Sequence, residues 1–343
     1  MLSPTEQPEK VVDDLGNLDY HKVLHFYPWI IERGQNCILS PDSDGFLCGL
    51  LMSHYLGWKV RGFYDGKVLL IDKNLSPKDC IFLDMEIFRK EVRSVGQHMV
   101  AYQYSQPPKN WDNFSQCISA NNLRGFDVHR KFIEKYPFAT VHLLLAILGV
   151  KHDVAPIPKS FGYLLYTDGT FKNLLNYPDN SLSWFKFLGI DILGNAAHDV
   201  FFSKKTVLLK LMIDLQNIFE ALAKMNGGKR GADKIKITKM NKGNLEIVGA
   251  EYVSSKKEWR ILPFIQNRNM KFLQILSSAT GWEYKSTSWQ YEGFCLKEFT
   301  KGSTVPTKGR YLELMAQNPV SFAITSKTKT GIEYTLEGPD KLL

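Results

Sequence analysis

Five side chains in the first half of the chain are of types that can do chemistry together: Asp42, Asp44, Asp84, His98 and Asp168. Each sits in or just after an apolar run. Asp42 and Asp44 lie in ILSPDSDGFLCGLL (38–51), where a buried run meets a Pro, two acids two residues apart and a Gly. Asp84 ends CIFLD (80–84), His98 lies in VGQHM (95–99), and Asp168 follows FGYLLY (161–166). If the runs are strands, these groups fall where open α/β sheets gather their ligands, at the carboxyl ends of the strands. Carboxylates with one imidazole at a sheet edge suit a hard or borderline divalent cation, Mn²⁺ or Mg²⁺. Without a cation such carboxylates repel one another and raise their own pKa values. Each residue also has a plainer role open to it. Asp42 and Asp44 fit a turn, with Asp44 or Ser43 capping a helix from 45. Asp84 fits a cap near Met85, His98 a satisfied core histidine, and Asp168-Gly169 an ordinary turn.

The elements that must position these groups alternate. CILS (37–40), WKVRGFY (58–64), KVLLI (67–71), CIFLD, VGQHMVAY (95–102) and FGYLLYTDGTF (161–171) read as strands or strand-to-turn segments. GFLCGLLMSHYLG (45–57), FRKEVRS (88–94), FDVHRKFIEKY (126–136) and FATVHLLLAILG (138–149) read as helices. Such alternation predicts an α/β domain, a mostly parallel sheet with helices on both faces. A helical stretch follows at 196–225, as one long or two joined helices. Beyond it β-branched and aromatic runs predict a smaller α+β domain. The expected organisation is a lead-in over 1–35, an α/β domain over 36–195, a connecting helix over 196–225 and a basic α+β domain over 226–343.

Charge follows the same division. Residues 201–343 carry 23 Lys and Arg against 13 Asp and Glu, and the first 200 carry 20 against 22. The second part is thus basic enough to meet a polyanion. Gly227, Gly228, Lys229 and Arg230 suit an anion-binding loop, in which backbone N–H groups and cations face a phosphate. Lys234, Lys236 and Lys239, with Tyr252, Trp259, Trp282, Tyr284, Trp289, Tyr291 and Phe294 beyond them, suit a surface that tracks phosphates and stacks bases. The five cysteines are scattered without a CxxC pair, which excludes a zinc knuckle and fits a reduced, cytoplasmic setting. No stretch reaches the length of a membrane span, and the first residues lack a secretory pattern.

PDSDGFLCGLL, IFLD, the QHM triplet (97–99) and YTDGTF together resemble the motifs of the DHH phosphoesterases. That family includes RecJ-type exonucleases, oligoribonucleases, cyclic-dinucleotide phosphodiesterases and manganese pyrophosphatases. The resemblance covers roughly 36–190. It implies a Mn²⁺ (or Mg²⁺) site on Asp44, Asp84, His98 and Asp168, and a second ion on Asp42 with Asp84 bridging. It also implies metal-dependent phosphodiester hydrolysis of single-stranded nucleic acid or short oligonucleotides. Three departures stand out: Ile38 and Ser40 offer no replacement for the family's first-motif His or Asp, and Gln97 and Met99 flank His98 in place of Asp and His. They leave the second ion one ligand short. They also imply an alternative, a chain that keeps the fold without the chemistry and binds nucleic acid or a partner protein as a scaffold.

Overall fold

β1 (Asn36–Leu39) is buried along nearly its whole length, and its alternate residues enter two different cores. Cys37 and Leu39 face one, Ile38 the other, which is why the run reads as continuously apolar rather than alternating. The computed structural model describes residues 11–128, 134–154, 156–205, 207–229, 231–241, 243–325 and 331–343. Before β1 lies the short helix α1 (Tyr20–Phe26); after it comes α2 (Ser43–Leu56), which ends on Gly57 in the left-handed region. β2 (Lys59–Tyr64) returns parallel to β1. β3 (Val68–Asp72) turns back antiparallel to β2 through Asp65-Gly66. β4 (Cys80–Leu83), β5 (Arg93–Gly96) and β6 (Cys117–Ser119) extend the other side, each parallel to its neighbour.

The helices follow: α3 (Ala120–Leu123), α4 (Thr140–Leu148), α5 (Phe161–Tyr166), α6 (Thr170–Asn176), α7 (Pro178–Phe187), α8 (His198–Phe202) and α9 (Leu208–Met225). α2 is buried on nearly all sides and packs on α4, as expected of a helix that is apolar all round. The expected helix over 196–225 is two, α8 and α9. No helix among the described residues is long and apolar enough to cross a membrane.

Beyond β7 (Thr238–Asn241) and β8 (Asn244–Ile247), which form a small sheet of their own, the remaining strands join the large one. These are β9 (Ala250–Val253), β10 (Glu258–Ile261), β11 (Glu292–Thr304), β12 (Ser321–Ile324) and β13 (Ile332–Glu337), interspersed with α10 (Pro263–Thr280) and α11 (Lys308–Ala316). The order is β12-β13-β11-β3-β2-β1-β4-β5-β6, with β10 and β9 branching from β11. β2, β1, β4, β5 and β6 are parallel; the other pairings are antiparallel. The architecture is therefore mixed α/β.

Several elements differ from expectation. β11 pairs with β3, setting Cys295 opposite Ile71, so the sheet runs without a break through the expected boundary at 196–225. One core reaches from Val11 to Phe294, and Phe46 of α2 meets Phe272 of α10 at 6.3 Å and Trp289 at 6.4 Å. An uncovered β3 edge would leave a row of unpaired backbone groups, and β11 supplies their partners. Helices were expected on both faces. On the second face, Ile38, Tyr64 and Phe82 are covered by Phe299, Val320 and Leu342 with no described helix in that cluster, while Cys117, in register with Phe82 through Ser94, shares a core with Tyr311, Leu314 and Met315 of α11. FRKEVRS is a turn entering β5 rather than a helix, and the strand expected over 95–102 stops at Gly96. The helix expected over 126–136 falls in part on 129–133, outside the described residues. FGYLLY is helix α5, not a strand: Phe161, Leu164 and Leu165 are buried at helical spacing.

Candidate metal centre

β1, β4 and β5 are adjacent and parallel, so the residues after each emerge at one edge. The Ser40 N–H donates to Leu83 O at 3.1 Å, and the Met85 N–H to Val95 O at 3.2 Å. This common exit brings Asp42, Asp44, Asp84 and His98 to the same region. Asp168 arrives from the helical side, in the turn between α5 and α6.

The acid pair after β1 is largely taken up by helix starts. Asp42 caps α2: Oδ1 accepts the Gly45 N–H at 3.2 Å, and Oδ2 accepts the Ser40 hydroxyl at 3.0 Å. The loop closes so tightly that a Cβ at position 45 would collide with the Ser40 carbonyl oxygen, which is why the residue is glycine. Asp44 is fully buried and turns to another helix. Its Oδ2 accepts the Thr140 N–H at 2.6 Å and its Oδ1 the Val141 N–H at 3.1 Å, at the first turn of α4. Helix N-termini present unpaired N–H groups and a positive dipole end, both of which favour a carboxylate.

Asp84, His98 and Asp168 turn towards one another instead, each offering a donor atom within 4.8 Å of the other two. Ligands around one ion at about 2.2 Å stand no more than ~4.4 Å apart, so side-chain adjustments of under ~1 Å would close the set. Asp84 accepts the Thr140 hydroxyl at 2.8 Å, so Thr140 links it to Asp44. Asp84 and Asp168 have φ of 62° and 51°, two of the four positive values at non-glycine residues among the described residues. Backbone in this region costs energy and gathers at functional sites. The loop carrying His98 is held by Asn121, whose Nδ2 donates to Gln97 O at 2.7 Å. Gln97 Nε2 in turn donates to Asp168 Oδ2.

Electrostatics follow from this crowding. Burial, then the charges of Asp44 and Asp168, push Asp84 well above the usual carboxylate range. Burial also raises Asp44, against the hydrogen bonds it accepts. Asp168 is exposed on its outer side, but the protein packed around its carboxyl group and then the charge of Asp44 push it up to about 7, with His98 opposing. Burial lowers His98, but the Glu86 carboxylate beside it outweighs burial and leaves the imidazole raised. Each carboxyl group is thus harder to ionise than a free one, and a cation bound among them would oppose that shift.

A cavity of about 280 Å³ opens beside the cluster, with His98, Asp168, Lys135, Tyr177 and Asn180 in its wall. A second, of about 200 Å³, lies against His98 too and is walled by Glu86, Lys301, Thr325 and Tyr334. Thr325, just past β12, borders both. The C-terminal strands therefore help enclose the site.

The basic residues lie apart from these groups. Gly227, Gly228 and Lys229 are exposed, and none lines the cavity beside His98. The Gly228 N–H donates to Ala223 O at 2.8 Å and the Lys229 N–H to Asn226 O at 3.3 Å, so both amides close the end of α9 rather than face outward. Arg230 lies outside the described residues. Lys234, Lys236 and Lys239 are exposed, but Trp282, Trp289, Tyr291 and Phe294 are core, and Trp259 and Tyr284 are half-buried. Of the aromatic residues expected to stack bases, Tyr252 alone is exposed. Thr140, Glu86, Asn121 and Lys135 belong to the site and were not anticipated. Glu86 stands two residues after Asp84 and gave a weak signal; the other three gave none.

Compared with protein-family models, curated proteins and solved structures, the chain matches none.

Proposed function

We propose that the protein is a divalent-metal-dependent phosphodiesterase acting on single-stranded nucleic acid or short oligonucleotides, with Mn²⁺ (or Mg²⁺) held by Asp84, His98 and Asp168. The observation that carries this reading is the convergence of those three side chains beside an open cavity. The motif resemblance to DHH phosphoesterases supports it. The donor set fits: two carboxylate oxygens and one imidazole nitrogen suit Mn²⁺, and three protein ligands leave positions for water and substrate. When bound, such an ion polarises a phosphoryl oxygen and lowers the pKa of a coordinated water. Lys135 supplies the cavity wall with a cation, placed to offset a phosphate charge. Asp44, through Thr140, holds Asp84 in register. Asp42 and Asp44 act as helix caps in this scheme, and one ion suffices. The basic residues from Lys229 to Lys239 then serve as a sequence-independent contact to the strand.

One observation favours the scaffold reading: Gln97 occupies a carboxylate oxygen of Asp168 that a metal would use. The deciding experiment is hydrolysis of a 5′-labelled single-stranded oligonucleotide with Mn²⁺, in the native protein and in Asp84→Ala. Metal-dependent cleavage lost in the variant is the expected result. Binding without cleavage under all metal conditions would move the protein to the scaffold class.

A further inference from the structure

Glu86 has no assigned task, yet it is 2% exposed, and a buried carboxylate needs partners. Its Oε1 accepts the Met99 N–H at 3.0 Å, and its Oε2 lies 3.5 Å from Nδ1 of His98. That separation is long for a hydrogen bond. Yet Nδ1 is buried and makes no hydrogen bond among the described residues, so this carboxylate is the acceptor within its reach. The fold leaves space for this carboxyl group. A Cβ at position 96 would stand 2.5 Å from Glu86 Oε2, so Gly96 gives the room. Both partners are fixed from elsewhere, Glu86 by the Met99 amide and the His98 loop by Asn121.

An imidazole that donates from Nδ1 carries its lone pair on Nε2, at the other side of the ring. We propose that Glu86 is a positioning residue that holds Nδ1–H of His98 and presents Nε2 to the space between Asp84 and Asp168. The inference rests on the cation reading above and adds a residue to it. An outer carboxylate fixes ring orientation and tautomer and makes the imidazole a stronger donor; losing one typically weakens metal affinity about 10- to 100-fold.

Two readouts test it. In the metal-free native protein, ¹⁵N NMR of the neutral His98 ring at alkaline pH should show the proton on Nδ1; a proton on Nε2 overturns the proposal without any variant. In calorimetric titration with Mn²⁺, Glu86→Gln should bind about 10- to 100-fold more weakly than the native chain. Native protein that binds Mn²⁺ with affinity unchanged in Glu86→Gln overturns the role of Glu86 alone. Native protein that binds no Mn²⁺ overturns the cation reading, and the ligand role of His98 with it. Should Glu86→Gln fail to fold, Gly96→Ala displaces the carboxyl group while keeping it, and the same weakening is expected.

Discussion

The loop after β1, the loop after β4 and the α5–α6 turn all bring carboxylates to one region, yet they use them differently. Asp42 and Asp44 accept backbone N–H groups at the starts of α2 and α4. Asp84 and Asp168 accept side-chain hydrogen bonds alone and stand with His98 around a common space. The pair whose spacing draws the eye in the sequence is the pair that accepts helix amides. A carboxylate that accepts helix N–H groups has its oxygens occupied by the helix, whereas one that accepts a single side-chain hydrogen bond has lone pairs left for a ligand.

The largest expected effect breaks this contrast most sharply. Asp84→Ala should reduce Mn²⁺-dependent hydrolysis at least ~10²-fold, equivalent to ~2.7 kcal/mol of barrier. Asp42→Ala should leave hydrolysis within about threefold and instead lower stability by about 1 kcal/mol, as loss of a helix cap does. Rates and urea unfolding of the two variants, measured side by side, check both halves; equal losses of activity would erase the distinction.

Asp44→Ala should come next. It removes two buried hydrogen bonds from the Thr140 and Val141 amides and leaves those donors unsatisfied, at roughly 1–3 kcal/mol. A net loss of about 2 kcal/mol in urea unfolding is expected, with Mn²⁺ affinity falling less than in Asp84→Ala.

The pH dependence of the metal-free protein sharpens the comparison further. The Asp168 carboxyl group is pushed up to about 7 in the folded chain, first by the protein packed around it and then by the charge of Asp44, against about 3.9 when unfolded, and because the residue is exposed, solvent screening keeps the effect on stability small. The folded state thus holds the proton to higher pH. Its contribution to stability is fully present below about pH 4 and lost as pH rises through 7. Thermal melts of the native chain minus those of Asp168→Asn should therefore fall across that window, and saturating Mn²⁺ should remove the fall. The smallest effect belongs to the basic residues. Single-strand affinity should decline steeply with salt, and Lys236→Ala should reduce the log–log slope by about 1. A flat salt response would remove them from substrate contact.

Much of this arrangement was legible in local sequence. The SPDSDG turn, the helix over 43–56 and the strand ending at Asp84 follow from local apolar runs, turn residues and caps. Asp168 was legible as a residue and not as an element, because FGYLLY carries both a strand-like composition and a helical spacing, and packing of Phe161, Leu164 and Leu165 settled it. Lys135, Asn121 and Thr140 were invisible because their partners lie far along the chain; Asn121 acts on the loop of His98, 24 residues before it. The pairing of β11 with β3 joins segments more than 200 residues apart, and no local pattern announces it. The aromatic residues after 250 misled for the same reason: composition marks them as contact-forming, and only topology turns most of them inward.

The central claim is that one cation seats between the ends of β4 and β5 and the α5–α6 turn. Anomalous diffraction from crystals soaked in Mn²⁺ tests it most directly. A single strong peak bonded to Asp84, His98 and Asp168 is predicted, with Asp42 and Asp44 still bound to their helix amides. A peak held by Asp42 and Asp44, or none at this edge under saturating Mn²⁺, would contradict it.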